Sequence, residues 1–265
     1  MPRQYTWDDY FIPGTKTLRN LLGAVDPDDL RTDEEDSVAS RMLELQAVPM
    51  TGKFDLAHMQ RVHEHLFQDV YEWAGEIRTA PSPDQPPMNK DGVAYASIDR
   101  IAKIWSAEQT RIKKQGLLHG KSSKNSPGKF SEGLARFWGE VNHAHAFREG
   151  NTRSQPVFFE QLCEKAGYLL DIARLAPQHP KSIREAFVDA RYFFQLRGDV
   201  LPLAETLTKV LSPLDDEQSS MAASATRGAG ELARRFPELR DVKLDPYGLS
   251  DAASQTPGAD SEYQP

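Results

Sequence analysis

The chain has a single cysteine, Cys163, in 265 residues. One thiol cannot form an internal disulfide, so a packed core must hold the fold, and the usage suits a reducing compartment. Long apolar runs are also missing. No stretch approaches the ~20 apolar residues that cross a bilayer. The opening residues, Met1-Pro2-Arg3-Gln4-Tyr5-Thr6-Trp7-Asp8-Asp9, contain no apolar core of a secretory signal. These two absences predict a cytoplasmic protein with no membrane partner. A basic excess is lacking too. The 32 Lys and Arg stand against 39 Asp and Glu, for a net charge of −7. That disfavours a general binder of nucleic-acid backbones, which needs a basic face, but not a nucleotide pocket, which needs only a few placed donors. No internal repeat is evident. What is present, 39% apolar and 27% charged residues, is enough for one good core with an appendage.

Apolar periodicity predicts a mainly helical chain. Leu56, Met59, Val62, Leu66 and Phe67 recur at helical spacing behind a capping Asp55. Ile98, Ile101, Ile104, Trp105 and Ile112 mark a second helix that ends near Gly116. Phe130, Leu134, Phe137 and Val141 mark a third, capped by Ser126 or Ser131. Val157, Phe158, Leu162, Ala166, Leu169 and Leu170 mark a fourth, and further helices are expected over 182–196 and 203–211. The proline-dense run Ala80-Pro81-Ser82-Pro83-Asp84-Gln85-Pro86-Pro87-Met88-Asn89-Lys90-Asp91-Gly92 cannot be helix and reads as a loop or short hairpin. Residues 120–128 read as a second loop. Periodicity weakens after Leu211, which divides the chain into a folded unit over 1–211 and a weakly structured to disordered tail over 212–265.

The segment with chemistry is His145-Ala146-Phe147-Arg148-Glu149-Gly150-Asn151-Thr152-Arg153, which lies between two helical stripes. A helix N-terminus exposes unpaired N–H groups and favours anions. Gly150 can take a positive φ that lets backbone donors curl round a phosphate, and Arg153 can add a charge-assisted bond. Glu149 can hold Mg²⁺, which usually bridges a carboxylate and phosphate oxygens. His145 can accept a proton from an incoming hydroxyl. Together these groups describe phosphoryl or nucleotidyl transfer. A metal triad of His143, His145 and Glu149 is the alternative, and it would leave Gly150, Asn151 and Arg153 idle.

The same residues resemble the Fic family, whose signature His-x-Phe-x-(Asp/Glu)-Gly-Asn-x-Arg is met at every fixed position from His145 to Arg153. Phe54-Asp55-Leu56, His65-Leu66-Phe67 and the run from Tyr71 to Arg78 look like the stretch that leads to the family's active-site flap. Tyr5 to Leu22 resembles the start of compact bacterial members. The resemblance implies an all-α, mainly helical Fic fold with a small β-hairpin flap near residues 80–95. It implies a protein adenylyltransferase that moves AMP from ATP to a Ser, Thr or Tyr hydroxyl of another protein. His145 would be the base, Phe147 the anchor of the loop, and Glu149 the Mg²⁺ ligand. Gly150, Asn151 and Thr152 would line the phosphate cradle, and Arg153 would grip the β-phosphate.

Departures from the pattern carry information as well. Thr152 stands where glycine is usual, Ala146 where proline is common, and Pro156 where many members have a second arginine for the γ-phosphate. If the helix began at Thr152, the Pro156 ring would disturb its first turns; if it began at Pro156, the ring would fit. Gly150 and Thr152 differ from the Ala-Asn-Lys-Arg loop of the family's kinase branch, which favours transfer of the whole nucleotide. No built-in inhibitory Ser/Thr-x-x-x-Glu-Gly/Asn motif is found; the nearest run, Ser40 to Glu44, continues into Leu45. A separate small antitoxin and a type II topoisomerase subunit as target are therefore implied by resemblance to the toxin branch. The rival expectation is a weakened module that binds nucleotide or a partner without turnover. His58, His63 and His65 are expected on one amphipathic helix, and the acidic run Asp26 to Asp36 as a solvated surface segment.

Overall fold

Helix α1 (Pro27–Ala47) starts where the Asp26 carboxylate accepts the backbone N–H groups of Asp28 and Asp29, with proline in the first turn. Asp55 likewise caps α2 (Leu56–Phe67) through the His58 N–H, as its spacing predicts. The computed structural model describes residues 3–83, 85–118 and 127–214, and the expected loop over 120–128 and the tail fall largely outside them. The proline-dense run ends in a two-stranded antiparallel hairpin, β1 (Asn89–Lys90) and β2 (Val93–Ala94), that pairs Asn89 with Ala94 and Lys90 with Val93. Helix α3 (Ile98–Gln115) stops at Gly116, which takes the left-handed conformation that glycine tolerates. Helices α4 (Pro127–Ala144) and α5 (Asn151–Lys165) flank the motif loop, and α6 (Arg184–Arg197) and α7 (Leu201–Thr208) follow.

Three boundaries differ from the periodicity. Ser131 lies inside α4, where its hydroxyl donates to the Gly128 carbonyl, so it is no N-cap; Ser126 falls outside the described residues. The apolar stripe from Val157 is cut after Lys165, and Leu169 and Leu170 belong to a strand, β3 (Tyr168–Leu170), entered through Gly167 with φ of +82°. Leu211 also leaves the predicted helix for a strand, β4 (Leu211–Pro213), which pairs antiparallel with β3. Short apolar runs cannot by themselves separate buried helix from buried strand; here a positive-φ glycine makes the difference.

The expectation of a mainly helical fold with a small hairpin is met. Helix α5 sits at its centre: Val157, Phe158, Phe159, Leu162 and Cys163 are all essentially inaccessible. Phe158 meets Trp105, Phe137 and Phe54 edge-on, at 5.7, 6.1 and 5.7 Å between ring centroids. Trp138 stacks on Phe159 at 4.4 Å and donates its indole N–H to Gln155 at 3.1 Å. Each such ring contributes a large apolar area and specific edge or offset contacts. A helix gripped on every side fixes its own N-terminus in space, and the motif loop is built on that N-terminus.

Candidate active site

The loop between α4 and α5 is closed by its own residues. Asn151 accepts the Phe147 N–H on Oδ1 at 3.0 Å and donates Nδ2 to the Phe147 carbonyl at 2.8 Å. Phe147 is fully buried and stacks on His63 at 3.8 Å. Gly150, with φ of +79°, caps α5, and a Cβ there would lie 2.4 Å from the Phe67 ring. Only glycine fits, for conformation and for space. Ser154 returns its hydroxyl to the Gly150 carbonyl at 2.8 Å. Arg148 points back into the N-terminal segment, over the rings of Trp7 and Phe11 at 4.2 and 5.2 Å. Thr152 is exposed.

His63, which the sequence offers only as one member of a histidine-bearing helix face, braces the loop. The Gly75 N–H donates to its Nδ1 at 2.9 Å, so the ring proton must sit on Nε2, which faces the Glu149 carbonyl at 2.9 Å. Burial pushes its pKa down to about 3, against the favourable Glu149 carbonyl, so it is a neutral strut across the physiological range. The sequence signal was weak: one histidine among three on a helix, with nothing to mark the buried one.

His145 has a positive φ of +42° and is buried beneath the flap side of the molecule. The Tyr95 ring, which follows β2, lies flat on the imidazole, 3.6 Å between centroids at 14°. Arg78, itself buried, donates Nε to the His145 carbonyl at 2.8 Å and its backbone N–H to the Ala146 carbonyl at 2.9 Å. Burial and then Arg78 hold the imidazole pKa well below its ordinary value, with the Asn142 carbonyl opposing and Arg191 and Lys90 adding to the depression. The ring is therefore neutral near pH 7. Its Nδ1 is sealed from solvent without a hydrogen-bond partner.

Glu149 and Arg153 form the other half of the site. Glu149 Oε1 accepts the Gly150 N–H at 2.9 Å and the Arg153 guanidinium at 3.2 Å. Burial raises its carboxyl pKa, but Arg153, the Gly150 N–H, Arg148 and Lys90 outweigh it and hold the group below the usual carboxylate range. Arg153 is also paired with Glu34 of α1 at 2.7 Å, both side chains being almost wholly buried. The Tyr71 hydroxyl donates to the second oxygen of Glu34 at 3.1 Å. Burial pushes the Glu34 pKa up to about 7, with Arg153 pulling it down and Glu149 pushing it further up. The reading of Asp26 to Asp36 as a solvated segment is thus corrected at Glu34. A carboxylate within an acidic run looks solvated until tertiary packing brings an arginine to it. Glu44, by contrast, turns to Arg41 at 2.9 Å and His65 at 3.1 Å and does not reach the loop.

Among the described residues no group of three or more His, Cys, Asp or Glu side chains is placed to hold a metal ion, so the His143–His145–Glu149 triad does not form. A family model described as the Fic/DOC family matches residues 53–163. The "Probable protein adenylyltransferase y4lH" of Sinorhizobium fredii is 35% identical over 205 residues, which cover 77% of this chain and 96% of that protein. The chain belongs to the Fic/DOC family.

Among its relatives is "Protein adenylyltransferase VbhT" of Bartonella schoenbuchensis, 34% identical over 171 residues. They cover 64% of this chain but only 34% of VbhT, so the chain spans about a third of that longer relative. The N-terminal Fic domain of a VirB-translocated Bep effector from Bartonella quintana, solved with bound ADP, has a TM-score of 0.68 at 25% identity. That match covers 78% of this chain and 96% of the Bartonella one. Within this Fic frame Pro156 is the outlier. Helix α5 begins at Asn151, so Pro156 lies inside it and supplies no N–H to the Thr152 carbonyl. Of the two alternatives left open by the sequence, the helix takes the earlier start and accepts the proline. No helix among the described residues is long and apolar enough to cross a membrane.

Proposed function

We propose that this Fic protein transfers AMP from ATP to a hydroxyl side chain of another protein. The observation that carries this reading is a neutral, buried His145 in the same closed loop as Gly150 and Arg153, which stand at the N-terminus of α5. The acceptor hydroxyl gives its proton to His145 Nε2 as its oxygen attacks the α-phosphorus. The bond from that phosphorus to the bridging oxygen breaks, and pyrophosphate leaves. The unpaired amides of the α5 N-terminus and the Arg153 guanidinium hold the departing phosphates. Asn151 keeps the loop closed through Phe147, and Phe147 anchors it on His63.

The donor set fits Mg²⁺. Glu149 spends Oε1 on Gly150 and Arg153, and its other oxygen has no partner among the described residues. One carboxylate oxygen completed by substrate phosphates is the usual provision for this hard cation. When bound, Mg²⁺ would neutralise charge on the phosphates. The resemblance to compact toxin-like members makes a type II topoisomerase subunit the first target to test and a small separate antitoxin the first regulator to seek, both in the cytoplasm, with residues 1–211 as the catalytic unit and 212–265 as its appendage.

One observation favours the rival reading of a module that binds without turnover: Arg153 is already engaged by Glu34, and Pro156 offers no second cation. Incubation of wild type and His145→Ala with Mg²⁺, α-labelled ATP and a bacterial lysate decides between them. Adenylyl transfer predicts labelled protein that disappears in the variant. Absence of label, with Mg-ATP binding retained in a thermal-shift assay, gives the binding module instead, and transfer of γ-label alone gives a kinase.

A further inference from the structure

Cations stand on the flap side of His145 with no carboxylate in ion-pair contact among the described residues. Lys90 lies on β1, and Arg184 and Arg191 lie two turns apart on one face of α6. The flap is tied to that helix: the Tyr192 hydroxyl donates to Asp91 Oδ2 at 2.8 Å, and Gln195 Nε2 donates to the Ala94 carbonyl at 2.8 Å. The hairpin that carries Lys90 is thereby held against the helix that carries Arg191. Arg191 donates Nη1 to Asn142 Oδ1 at 3.3 Å and rests 4.8 Å from the Phe187 ring centroid, while its Nε is sealed from solvent without a hydrogen-bond partner. Neither Lys90 nor Arg191 has a carboxylate within ion-pair distance among the described residues. The acid beside Lys90 in sequence, Asp91, is engaged by Tyr192.

The repulsion of like charges registers in the titration of these groups. Burial and then Arg191 depress the Lys90 pKa, with Asp91 and Glu149 opposing and Arg184 adding to the depression. Burial first, and Arg184 last, depress that of Arg191, with Tyr95 and Tyr192 opposing. Asp91 and Glu149 offset this charge without an ion pair to either cation, and an anion from outside would complete the pairing. The accepting hydroxyl must meet His145 Nε2, and both cations contribute to the field at that ring. The phosphates of the nucleotide have their own donors at the α5 N-terminus. The anion that fits here therefore arrives with the acceptor.

We propose that Lys90 and Arg191 form a binding site for an acidic side chain of the protein target, next to the hydroxyl that receives the nucleotide, so that this enzyme selects hydroxyls with Asp or Glu neighbours. The proposal rests on the adenylyl-transfer reading for its use but not for its test. Two fluorescein-labelled peptides, one with a central Thr flanked by Glu and one with the same Thr flanked by Gln, are titrated with the protein without nucleotide and followed by anisotropy.

The Glu peptide is expected to bind about tenfold more tightly, in line with charge-assisted hydrogen bonds, and the advantage is expected to shrink as salt rises. Lys90→Gln and Arg191→Gln each remove most of it, and Arg191→Lys restores part. Lys90 sits on the hairpin, outside the core, so its variant keeps the test open should Arg191→Gln not fold. Equal affinity for the two peptides overturns the proposal. So does a tenfold loss of Mg-ATP affinity in Lys90→Gln with peptide preference unchanged, which assigns the cations to the nucleotide. A wild type that prefers the Glu peptide but transfers no α-label to a lysate removes the adenylyl-transfer reading and leaves the anion site standing. Labelling without preference does the reverse.

Discussion

Arg153 and the Lys90–Arg191 pair are treated in opposite ways. Arg153 is buried against two carboxylates from this chain, Glu34 at 2.7 Å and Glu149 at 3.2 Å. Arg191 is held by an amide oxygen and an aromatic face, and Lys90 has no carboxylate within ion-pair distance among the described residues. The internal carboxylates hold Arg153 in place before any ligand arrives, at the cost of competing with that ligand for its N–H groups. On the flap side, Arg191 spends Nη1 on Asn142 and leaves its Nε without a partner. A buried arginine without counter-charge would cost several kcal/mol, which a fold can tolerate near the surface far more readily than at its centre.

The comparison can be broken at His145 first. His145→Ala is expected to lower the rate of label transfer by about 10²–10⁴-fold, the range of a lost general base, with Mg-ATP affinity retained by calorimetry. An equal loss of nucleotide affinity would make the imidazole a binding group. Next is Glu34→Ala, which strands Arg153 with Glu149 alone. About 3–5 kcal/mol of stability should be lost in denaturant titration, whereas Glu34→Gln keeps an acceptor and loses much less. If the alanine variant were as stable as wild type, Glu34 would not be the group that holds the arginine.

Gly150→Ala forces a Cβ 2.4 Å from the Phe67 ring and a side chain into left-handed backbone. Strain and overpacking together predict a loss of about 2–4 kcal/mol, read as a lower unfolding midpoint. The smallest effect is in the pH dependence. The folded state holds the Glu34 proton up to about pH 7, against an ordinary value of 4.5. The associated stability is complete below that ordinary value and is lost as pH rises through about 7. Glu34→Gln has no such proton, so its stability relative to wild type should rise by about 1–3 kcal/mol between pH 5 and pH 8. A constant difference across that window would show that Glu34 is ionised throughout.

The parts of the site that were legible in the sequence are those that are local. His145, Phe147, Glu149, Gly150, Asn151 and Arg153 fall in one short segment, so their types and spacing could be read together, and so could the helices whose periodicity is strong. Four other contributors were not read. His63 is one of three histidines on α2 and differs from its neighbours only in what packs against it. Glu34 lies in an acidic run that looks solvated. Tyr95 and Arg191 are remote from the loop along the chain, yet one stacks on His145 and the other adds to its field.

By itself, then, the sequence determined the helical character of this Fic protein, the hairpin, and the chemical inventory of its loop. Periodicity, turn chemistry and a contiguous motif are all properties of neighbouring residues. Only the tertiary structure decided that Arg153 is neutralised from within, that His63 braces the loop, and that α5 accepts Pro156. Charge pairing, burial and protonation depend on distances between residues far apart in the chain, and those distances exist only once the core around α5 has closed.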